Sequence, residues 1–402
     1  MSADWQTKLL RDLATINYGR SPAGILADDG DYPVVGTGGS DRKGTDFLHD
    51  GDSIILGRKG TIDRVHYATG RFWTIDTAYY LSDFEDNLPR WLYYFFQTLD
   101  LRQMNEATGV PSLSRDLLYK IEIPTPPVPE QTKIAEILST VDRAIEQTEA
   151  LIAKQQRLKT GLMQDLLTRG IDEHGNLRSE QTHPFKDSPL GRIPVAWEVK
   201  ECASICKHIV VGIVIRPVQY YRPDGVPMLR SANVRENRID PRNLVFMDMK
   251  DNDKMSKSQV MSGDLVTVRT GYPGTTAVVP PEFDGCNCID IVISRPDSTQ
   301  VRSEFLSIWI NSDHGKRQVL EGQGGVAQQH FNVGEMKTLL VKMPPVSEQE
   351  QIERTLLKQA KVTKDLENSL AKLRSLKTAL MQDLLSGRKR VTALLDGKES
   401  GT

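Results

Sequence analysis

The sequence has few cysteines, no long apolar run and no marked excess of either charge. Its 402 residues include four cysteines, all in the second half of the chain. Four thiols do not make a disulfide framework for so long a chain, so we expect a reducing, cytoplasmic compartment. No stretch approaches the roughly 18 apolar residues of a membrane-spanning helix, and the first residues lack the regions of a secretory signal. We therefore predict no membrane partner.

The charge balance is close to neutral. Fifty-one Lys and Arg residues face 53 Asp and Glu residues, which gives a formal net charge of −2. The net field alone therefore does not indicate a nucleic-acid partner, and any such partner must be inferred from local clusters. A chain of 402 residues exceeds one ordinary hydrophobic core, so two or three domains are expected.

Motifs of catalysis are also missing. The turn Gly36–Ser40 is rich in glycine but lacks the Gly-Lys-Ser/Thr ending of a phosphate-binding loop. The sequence has no Asn/Asp-Pro-Pro-aromatic tetrapeptide of an amino-methyltransferase. Glu335 and Lys337 have the spacing of some nuclease sites, but no second carboxylate is placed beside them. We predict that the chain is not an enzyme.

The cysteines are weak candidates for a metal site. Cys202 with Cys206, and Cys286 with Cys288, could together hold one zinc ion, but their spacings differ from the usual C-x₂-C. Reduced, partly buried thiols are the favoured interpretation. We therefore predict no metal and no cofactor in this chain.

The sequence does contain a long internal repeat. The hexapeptide Pro126–Gln131 returns as Pro344–Gln349, and Leu158–Leu167 returns as Leu376–Leu385, both at an offset of 218 residues. Positions 126–167 and 344–385 share 19 identities in 42, where roughly two or three would arise by chance. The chain therefore contains two copies of one unit.

The spacing of apolar residues in each copy predicts a long coiled-coil helix. Seam positions recur at alternating steps of four and three. In the two copies these positions are Ile134, Leu138, Val141, Ile145, Thr148, Ile152, Gln155, Lys159, Leu162 and Leu166, and Ile352, Leu356, Gln359, Thr363, Leu366, Leu370, Leu373, Lys377, Leu380 and Leu384. Polar residues in mid-seam favour a partner helix with a fixed register, so we expect the two helices to pack against each other.

Local signals predict where these helices begin and end. Prolines precede both copies, and Ser347 with Glu350 predicts a capping box at the second start. Gly170 and Gly387 predict the two ends. About 38 helical residues would form a rod of roughly 57 Å.

The segments that precede the two helices resemble each other more faintly. Each has a Gly-Asp, an apolar run and a basic or glycine-containing turn, at Gly51–Gly60 and at Gly263–Gly271. Apolar runs at Leu118–Ile123 and Leu339–Met343 predict strands that lead into the Pro-Pro pairs. The predicted fold class is α+β: two α+β domains separated by two long antiparallel coiled-coil helices, with an internal two-fold pseudo-repeat.

These patterns divide the chain into six segments. The predicted boundaries are a first domain at 1–125, a central long helix at 126–170, a linker at 171–194, a second domain at 195–343, a C-terminal long helix at 344–390 and a tail at 391–402.

Basic and polar residues in glycine-flanked turns are the candidate DNA contacts. Arg and Asn pair bidentately with guanine and adenine edges, whereas Lys, Ser and Thr bind phosphates. The candidates are Thr37, Ser40, Arg42, Lys43, Arg58, Lys59 and Arg64 in the first domain, and Arg216, Arg230, Ser231, Asn233, Arg235, Arg269, Thr270 and Tyr272 in the second. Residues 1–125 contain about 13 basic and 18 acidic residues, so we expect weak DNA binding without a basic partner.

Together these features resemble the specificity subunits of type I restriction-modification enzymes. The resemblance rests on the order of domain, long helix, domain and long helix, and on the segments Pro126–Ala135 and Leu158–Leu167. The segment Asp187–Pro194, which leads into the second domain before Trp197, is also similar to the corresponding segment of that family. The likeness covers nearly the whole chain and is faint inside the two domains, as expected of proteins that read different sequences.

The resemblance implies a non-catalytic subunit in which the domains are target-recognition domains. Each would read one half of a bipartite site in double-stranded DNA, with the helix pair as spacer. Two methyltransferase subunits would bind S-adenosylmethionine and methylate adenine, and two restriction/translocase subunits would use ATP and Mg²⁺, so these cofactors are expected in the partners. The implied docking surface for the methyltransferase is Leu158, Leu162, Met163, Leu166, Leu376, Leu380, Met381 and Leu384.

Two other classes stay open at this point. One is a coiled-coil scaffold or protein-interaction adaptor without DNA specificity. The other is a fused methyltransferase or nuclease, which S-adenosylmethionine binding or DNA cleavage by the chain alone would favour.

Overall fold

The chain divides into two compact units, and the computed structural model describes its residues 5–321 and 330–395. Unit 1 consists of Met1–Leu151 with Leu366–Thr402, and unit 2 consists of Ile152–Asp365. Each unit combines one predicted domain with part of both long helices. The compact units therefore cut across the segments predicted from the sequence, because each long helix contributes to both.

The described residues of unit 1 form two four-stranded sheets, one two-stranded sheet and a short aromatic helix. Its elements are β1 (Gln6–Leu9), β2 (Thr15–Tyr18), β3 (Tyr32–Gly36), β4 (Gly39–Gly44), β5 (His49–Asp50), β6 (Ser53–Gly57), β7 (Val65–Ala68), β8 (Arg71–Thr74), β9 (Ala78–Ser82), α1 (Pro89–Phe96), α2 (Arg115–Leu118), β10 (Glu122–Thr125) and the start of α3 (Val128–Thr168). The main sheet has the order β2-β9-β6-β7 and is antiparallel. Its central strand β6 is buried along its whole length, as its apolar run Ile54–Leu56 requires.

Unit 2 repeats this plan with more elements. They are β11 (Phe185–Lys186), β12 (Ile193–Pro194), β13 (Glu198–Glu201), α4 (Cys202–Ile205), β14 (Cys206–Val211), β15 (Val226–Leu229), β16 (Val234–Arg235), β17 (Arg238–Ile239), β18 (Val245–Met247), α5 (Met249–Lys254), β19 (Leu265–Val268), β20 (Thr276–Val278), β21 (Asn287–Cys288), β22 (Ile291–Pro296), α6 (Ser303–Asn311), α7 (Asp313–Glu321), α8 (Val333–Thr338), β23 (Leu340–Met343) and the start of α9 (Val346–Leu384). Its main sheet, β14-β22-β19-β20, is also antiparallel. A final turn of helix, α10 (Thr392–Leu395), returns to unit 1.

The first and last strands of each domain pair with each other. β1 is antiparallel to β10, with Lys8 opposite Ile123, and β13 is antiparallel to β23, with Lys200 opposite Val341. Each domain thus begins and ends at the same place, next to the start of a long helix. The α+β fold class is confirmed.

The long helices have 41 and 39 residues, or about 62 and 59 Å at 1.5 Å per residue. They run antiparallel within each unit. In unit 1, Asp142 contacts Lys377 and Glu149 contacts Arg374, so one number rises as the other falls. In unit 2, Gln359 donates to the Oε1 of Gln155 at 2.6 Å. This amide pair in the middle of the seam is the register-fixing contact that the polar seam positions predict.

The seam residues are buried where the domains cover them. In unit 1 the core includes the seam residues Ile134, Leu138 and Leu384 together with the aromatic side chains of α1. In unit 2 the core includes Leu166, Ile352 and Leu356 together with Trp197 and Trp309. The seam therefore contributes to the core of each unit as well as to helix pairing.

The Gln that both Pro-Pro motifs contain attaches the domain to its helix in each unit. Gln131 accepts from the backbone N–H of Leu88, which precedes α1, at 2.8 Å and donates to the carbonyl of Pro126 at 2.9 Å. Gln349 accepts from the N–H of Arg302, which precedes α6, at 2.9 Å and donates to the carbonyl of Pro344 at 2.9 Å. The same amide thus satisfies an orphan donor of the domain helix in both units.

The neighbouring Glu binds a Trp and an Arg in both units. Glu348 accepts from Trp197 Nε1 at 3.1 Å and from the guanidinium of Arg178, and the N–H of Ile171 donates to its Oε1 at 2.9 Å. Glu130 accepts from Arg390 Nε at 2.8 Å and from Trp5 Nε1 at 3.5 Å. The Arg390 guanidinium holds the pKa of Glu130 below its usual range. We call each set a Trp-Glu-Arg cluster.

Gly170 ends α3 as predicted, with a positive φ of 62°. A Cβ at this position would collide with the side chains of Glu348 and Trp197, so the Trp-Glu-Arg cluster of unit 2 also requires glycine here. Gly387 follows α9 with a φ of 73°.

Two local predictions are wrong. No capping box forms at Ser347, because α9 begins at Val346 and the N–H groups of Glu348 and Gln349 donate to the carbonyl of Pro345. The strand predicted at Leu118–Ile123 begins only at Glu122, since Arg115–Leu118 form a turn of helix that buries Leu118 in the core.

Of the tail predicted at 391–402, residues 396–402 lie outside the described part of the chain. Among residues 5–321 and 330–395, no helix combines the length and apolar character needed to cross a bilayer.

Candidate nucleic-acid interface

The main sheet of unit 1 has one edge at which three chain segments emerge together. Tyr18 at the end of β2 pairs with Tyr79, and Gly57 at the end of β6 pairs with Ala78, so β2 and β6 end where β9 begins. The loops that follow β2 and β6 therefore lie side by side. We call this edge the first strand-end surface.

Four predicted residues lie on the first strand-end surface. Arg58, Lys59 and Arg64 belong to the loop that follows β6, and Lys59 and Arg64 are exposed. Thr37 lies in the turn between β3 and β4, where its carbonyl is 3.1 Å from His66 Nε2. His66 is on β7 next to Val65, which pairs with Leu56 at the end of β6.

The cationic loop is held in place by its backbone. The N–H groups of Arg58 and Lys59 both donate to the carbonyl of Thr77, and Gly60 donates to that of Pro111. Asp63 forms an ion pair with Arg102. The loop therefore presents its basic side chains from a fixed frame, which limits the entropy lost on binding.

Ser40, Arg42 and Lys43 are exposed but lie on β4, in a different sheet. Arg42 and Lys43 pair with Val34 and Pro33, which lead away from the turn at Thr37. Ser40 is closest to that turn.

Sequence reasoning missed three residues of this surface. Tyr18, which is 47% exposed, lies near two cations, with Arg58 at 5.3 Å and Arg115 at 5.1 Å from its ring centroid. Arg20 is exposed in the loop that follows β2. No strand was predicted before Arg20, so only the fold shows that it follows a strand end, and only the fold brings Arg115 here.

Unit 2 has the equivalent edge. Val211 at the end of β14 pairs with Val292, and Val268 at the end of β19 pairs with Ile291, so both strands end where β22 begins. The loops 212–221 and 269–275 emerge there side by side. We call this edge the second strand-end surface.

Arg216, Arg269, Thr270 and Tyr272 lie in these two loops. Arg269 forms an ion pair with Asp290, so its charge is largely neutralised locally. Thr270 Oγ1 is 2.9 Å from His330 Nδ1. Tyr272 is 83% exposed.

The remaining four candidates follow β15. Arg230 and Ser231 reach the second strand-end surface, because the N–H of Ile289 donates to the carbonyl of Leu229. Arg230 Nη2 donates to the carbonyl of Asn243 at 2.6 Å. Asn233 is fully buried and donates to the carbonyls of Asp240 and Arg242. Asn233 therefore shapes its loop and is not available to bases, whereas Arg235 is exposed at the end of β16.

The second surface also bears apolar side chains that sequence reasoning did not select. Val214, Ile215 and Val218 are 48%, 75% and 69% exposed in the loop that follows β14. The available signal is the apolar run at 209–215, which only Gly212 interrupts, but such a run is read as core unless the end of its strand is known.

The predicted partner surface on the long helices divides into two groups. Leu166, Met381 and Leu384 are buried, and Leu162, Met163 and Leu380 pack partly against the cores. Leu158 and Leu376, which occupy the same repeat position, are 51% and 47% exposed. The other six side chains pack at least partly against the cores, so Leu158 and Leu376 remain as the exposed candidates for docking a partner.

A groove lies between the domain helix and the long helix in each unit. The groove of about 750 Å³ in unit 1 includes Tyr94 and Asp142, and the groove of about 660 Å³ in unit 2 includes Ile308 and Ala360. Asp142 binds Lys377 at 2.7 Å and accepts from Tyr94 at 2.7 Å. Ala360 occupies the repeat position of Asp142, so the two grooves correspond in place and differ in chemistry.

The other residues weighed for chemistry have structural surroundings. Glu335 accepts from the N–H of Asn332 at 2.7 Å at the start of α8. Cys202 lies in one core cluster of unit 2, and Cys286 and Cys288 lie in another. Burial raises the pKa of Cys206 to about 12 and that of Cys286 to about 11. Within the described residues, no three His, Cys, Asp or Glu side chains are grouped for a metal ion.

Comparisons with known proteins agree on one family. The family model described as "Type I restriction modification DNA specificity domain" matches residues 2–155. The chain is 24% identical over 325 residues to the type I restriction enzyme MjaVIII specificity subunit of Methanocaldococcus jannaschii, with 75% of this chain and 71% of that protein covered. It is 21% identical over 441 residues to the EcoDI specificity subunit of Escherichia coli, with 98% and 95% covered.

A solved structure shares the fold. The S subunit of a type I restriction-modification system from M. genitalium superposes with a TM-score of 0.64 at 14% identity, over 95% of this chain and 96% of that one. Both sequence relatives are named as specificity subunits, the role that the sequence analysis predicts to be non-catalytic. The resemblance to the specificity subunits of type I restriction-modification enzymes is thus confirmed, with a family-model match over residues 2–155 and similarity to named specificity subunits over most of the chain.

Proposed function

We propose that this chain recognises a bipartite sequence in double-stranded DNA, with one half-site bound by each strand-end surface. The observation that carries the proposal is the duplication of this surface. Both copies lie at the edge where two strands of the main sheet end and a third begins, and both bear predicted DNA-contacting residues. Protein loops held by a rigid sheet commonly supply base and phosphate contacts.

Partner subunits complete the proposed activity. Methyltransferase subunits would dock on the long helices around Leu158 and Leu376, bring S-adenosylmethionine and methylate adenine. Restriction/translocase subunits would bring ATP and Mg²⁺. Two copies of each match the two copies of the repeat. The local charge supports a need for partners, since acidic residues outnumber basic ones in residues 1–125.

Mapping of methylated adenines tests this proposal most directly. Genomic DNA from cells with and without the gene would be compared at single-base resolution. The expected difference is one motif with two defined parts and a gap of fixed length. A protein-interaction scaffold predicts no difference, and a motif without a gap would contradict the bipartite arrangement.

The spacer role of the helices has a separate test. Because α3 and α9 pair through Gln155 and Gln359, seven residues in heptad phase are added after Gln155 and seven before Gln359. The expected result is a longer gap with both half-sites unchanged. Altered half-sites with an unchanged gap would show that the helices do not set the distance.

A further inference from the structure

The second strand-end surface exposes large apolar side chains in its loops, whereas the corresponding loops of the first one expose mainly cations. The loop that follows β6 carries Arg58, Lys59 and Arg64, whereas the loop that follows β19 carries Thr270, Tyr272 and one cation, Arg269, which is paired with Asp290. The loop that follows β2 carries Arg20, whereas the loop that follows β14 exposes Ile215 and its neighbours. If both surfaces bind DNA, they do so through different forces.

Ile215 stands at the tip of a loop that is fixed at both ends. On one side, Ile213 donates to the carbonyl of Cys288 at 2.8 Å, and the N–H of Asp290 donates to the carbonyl of Ile213. On the other side, Tyr220 and Tyr221 pack against a core cluster with Met228 and Met247. The exposed tip is therefore carried by a buried frame.

The backbone stiffens the tip itself. Arg216 has a left-handed conformation with a φ of 47°, and Pro217 fixes the next φ. A non-glycine residue in this region costs free energy that the surrounding structure must offset, and such residues concentrate at functional sites. The turn directs Ile215 and Val218 outwards on either side of Arg216, with exposures of 75% and 69%.

We propose that Ile215 is an apolar wedge that inserts between two base pairs of the second half-site. Arg216, beside it, contacts the adjoining phosphate, and Tyr272 packs against the displaced base. A rigid exposed aliphatic side chain next to a cation is the equipment that DNA-bending proteins use to unstack a base step. Val214, Ile215, Val218 and Tyr272 together expose more apolar surface than a contact with a single thymine methyl group would cover.

This inference rests on the proposed function and assigns a distinct mode of recognition to one half-site. The first surface binds through phosphate and base-edge contacts, which tolerate a regular duplex. The second selects the step that is easiest to unstack, so it reads deformability as well as base edges.

The test uses the full-length chain with its methyltransferase subunits and a duplex that carries the mapped site. 2-Aminopurine replaces each adenine of the second half-site, or a base of an introduced A·T pair, one position at a time. Binding is expected to raise its fluorescence severalfold at one step. Ile215→Ala is expected to abolish this rise and to weaken binding about tenfold, which is about 1.4 kcal/mol. Ile215→Leu is expected to retain both.

Met261→Ala is the matched control. Met261 is 52% exposed in the same unit but precedes β19, at the opposite end of the sheet from the wedge. This variant is expected to match the parent in fluorescence and affinity. Because Ile215 is mostly exposed, its replacement is expected to leave thermal unfolding unchanged.

A footprint on the same samples separates the possible failures. A protected second half-site without a fluorescence rise at any position would overturn the wedge and leave the proposed function standing. The wedge would also be overturned if one deoxyuridine substitution for thymine reproduced the Ile215→Ala loss without unstacking, which indicates a methyl contact. Protection of neither half-site would refute the proposed function and the wedge with it.

Discussion

The two units attach their long helices alike and present different surfaces to solvent. At the start of α3, Glu130 and Gln131 bind Arg390 and the N–H of Leu88. At the start of α9, the equivalent Glu348 and Gln349 bind Arg178 and the N–H of Arg302. The strand-end surfaces, in contrast, share their position in the sheet and little of their chemistry.

The difference explains what the repeated sequence encodes. Helix pairing and the proposed docking of a shared partner are two reasons for the identity of the two copies. The structure adds a third reason, because the Glu and Gln of each Pro-Pro motif hold the domain to its helix. Residues in these junctions are constrained twice by the same geometry, whereas the loops at the strand ends are free to diverge.

Replacement of the cluster glutamate gives the largest expected effect. Glu348→Ala leaves the guanidinium of Arg178, whose side chain is 15% exposed, without its carboxylate, and is expected to cost about 3–5 kcal/mol. Glu130→Ala is expected to cost less, because Arg390 is 28% exposed and the Trp5 contact is long. Urea unfolding with hydrogen exchange in each unit measures both. Equal losses would show that the two clusters are energetically equivalent.

The next largest effect is expected at the buried Lys342. Unit 1 has no equivalent lysine, because Pro124 occupies the same position of the repeat. Lys342 is 2% exposed, and burial lowers its pKa from 10.5 to about 8. Below pH 8 both folded and unfolded states bind the proton, so the cost of charging a buried amine is fully present. Between about pH 8 and 10.5 the unfolded state binds more protons, so this contribution to stability rises with pH.

Lys342→Met is therefore expected to stabilise unit 2 by about 2–3 kcal/mol at pH 7. The difference between variant and parent should shrink as the pH rises from 8 to 10.5. Urea unfolding at pH 7 and pH 10 provides the measurement, and the subtraction cancels the titration of the buried cysteines. A difference that is constant with pH would show that Lys342 does not titrate in this range.

The grooves yield a smaller contrast. Asp142→Ala removes the ion pair with Lys377 and the acceptor of Tyr94, and is expected to destabilise unit 1 by about 1–2 kcal/mol. Ala360→Asp places a carboxylate at the equivalent position beside Ile308 and Leu357, where it is expected to change stability by less than about 0.5 kcal/mol. Thermal unfolding of both variants compares the two grooves, and equal effects would contradict their chemical difference.

The smallest expected effect is a difference between the two surfaces in the salt dependence of DNA binding. Lys59→Ala is expected to cost about 0.5–1 kcal/mol and to reduce the salt slope by about one, because one phosphate contact is lost. Tyr272→Ala is expected to weaken binding with the slope unchanged. Titrations of DNA at about 50, 100 and 200 mM salt would measure the affinity and the salt slope of each variant. A reduced slope for Tyr272→Ala would indicate that the second surface is also governed by phosphates.

The repeat and its heptads predicted the architecture because helix pairing obeys a strict period. Prolines and glycines predicted the start and end of each long helix to within a few residues. Gly170 ends α3 with a positive φ, as predicted. The DNA-contact candidates were less well separated, since burial decides their role. Asn233 and Arg230 have the residue types of base-reading side chains, yet both donate to backbone carbonyls of their own domain. Ile215 has the type of a core residue and is exposed, because its strand ends four residues earlier.

The order in which the units are completed during synthesis follows from Arg390. Unit 2 is continuous from Ile152 to Asp365, whereas unit 1 needs Met381, Leu384 and Arg390 from the end of the chain to close the core around its first domain. We therefore expect the first domain to remain incomplete while the second one folds during synthesis. Closing so long a loop adds little entropic cost, since that cost rises only with the logarithm of length. On this expectation the part of the protein that is made first is among the last to become native, and its exposed core is a surface for chaperones and proteases during synthesis.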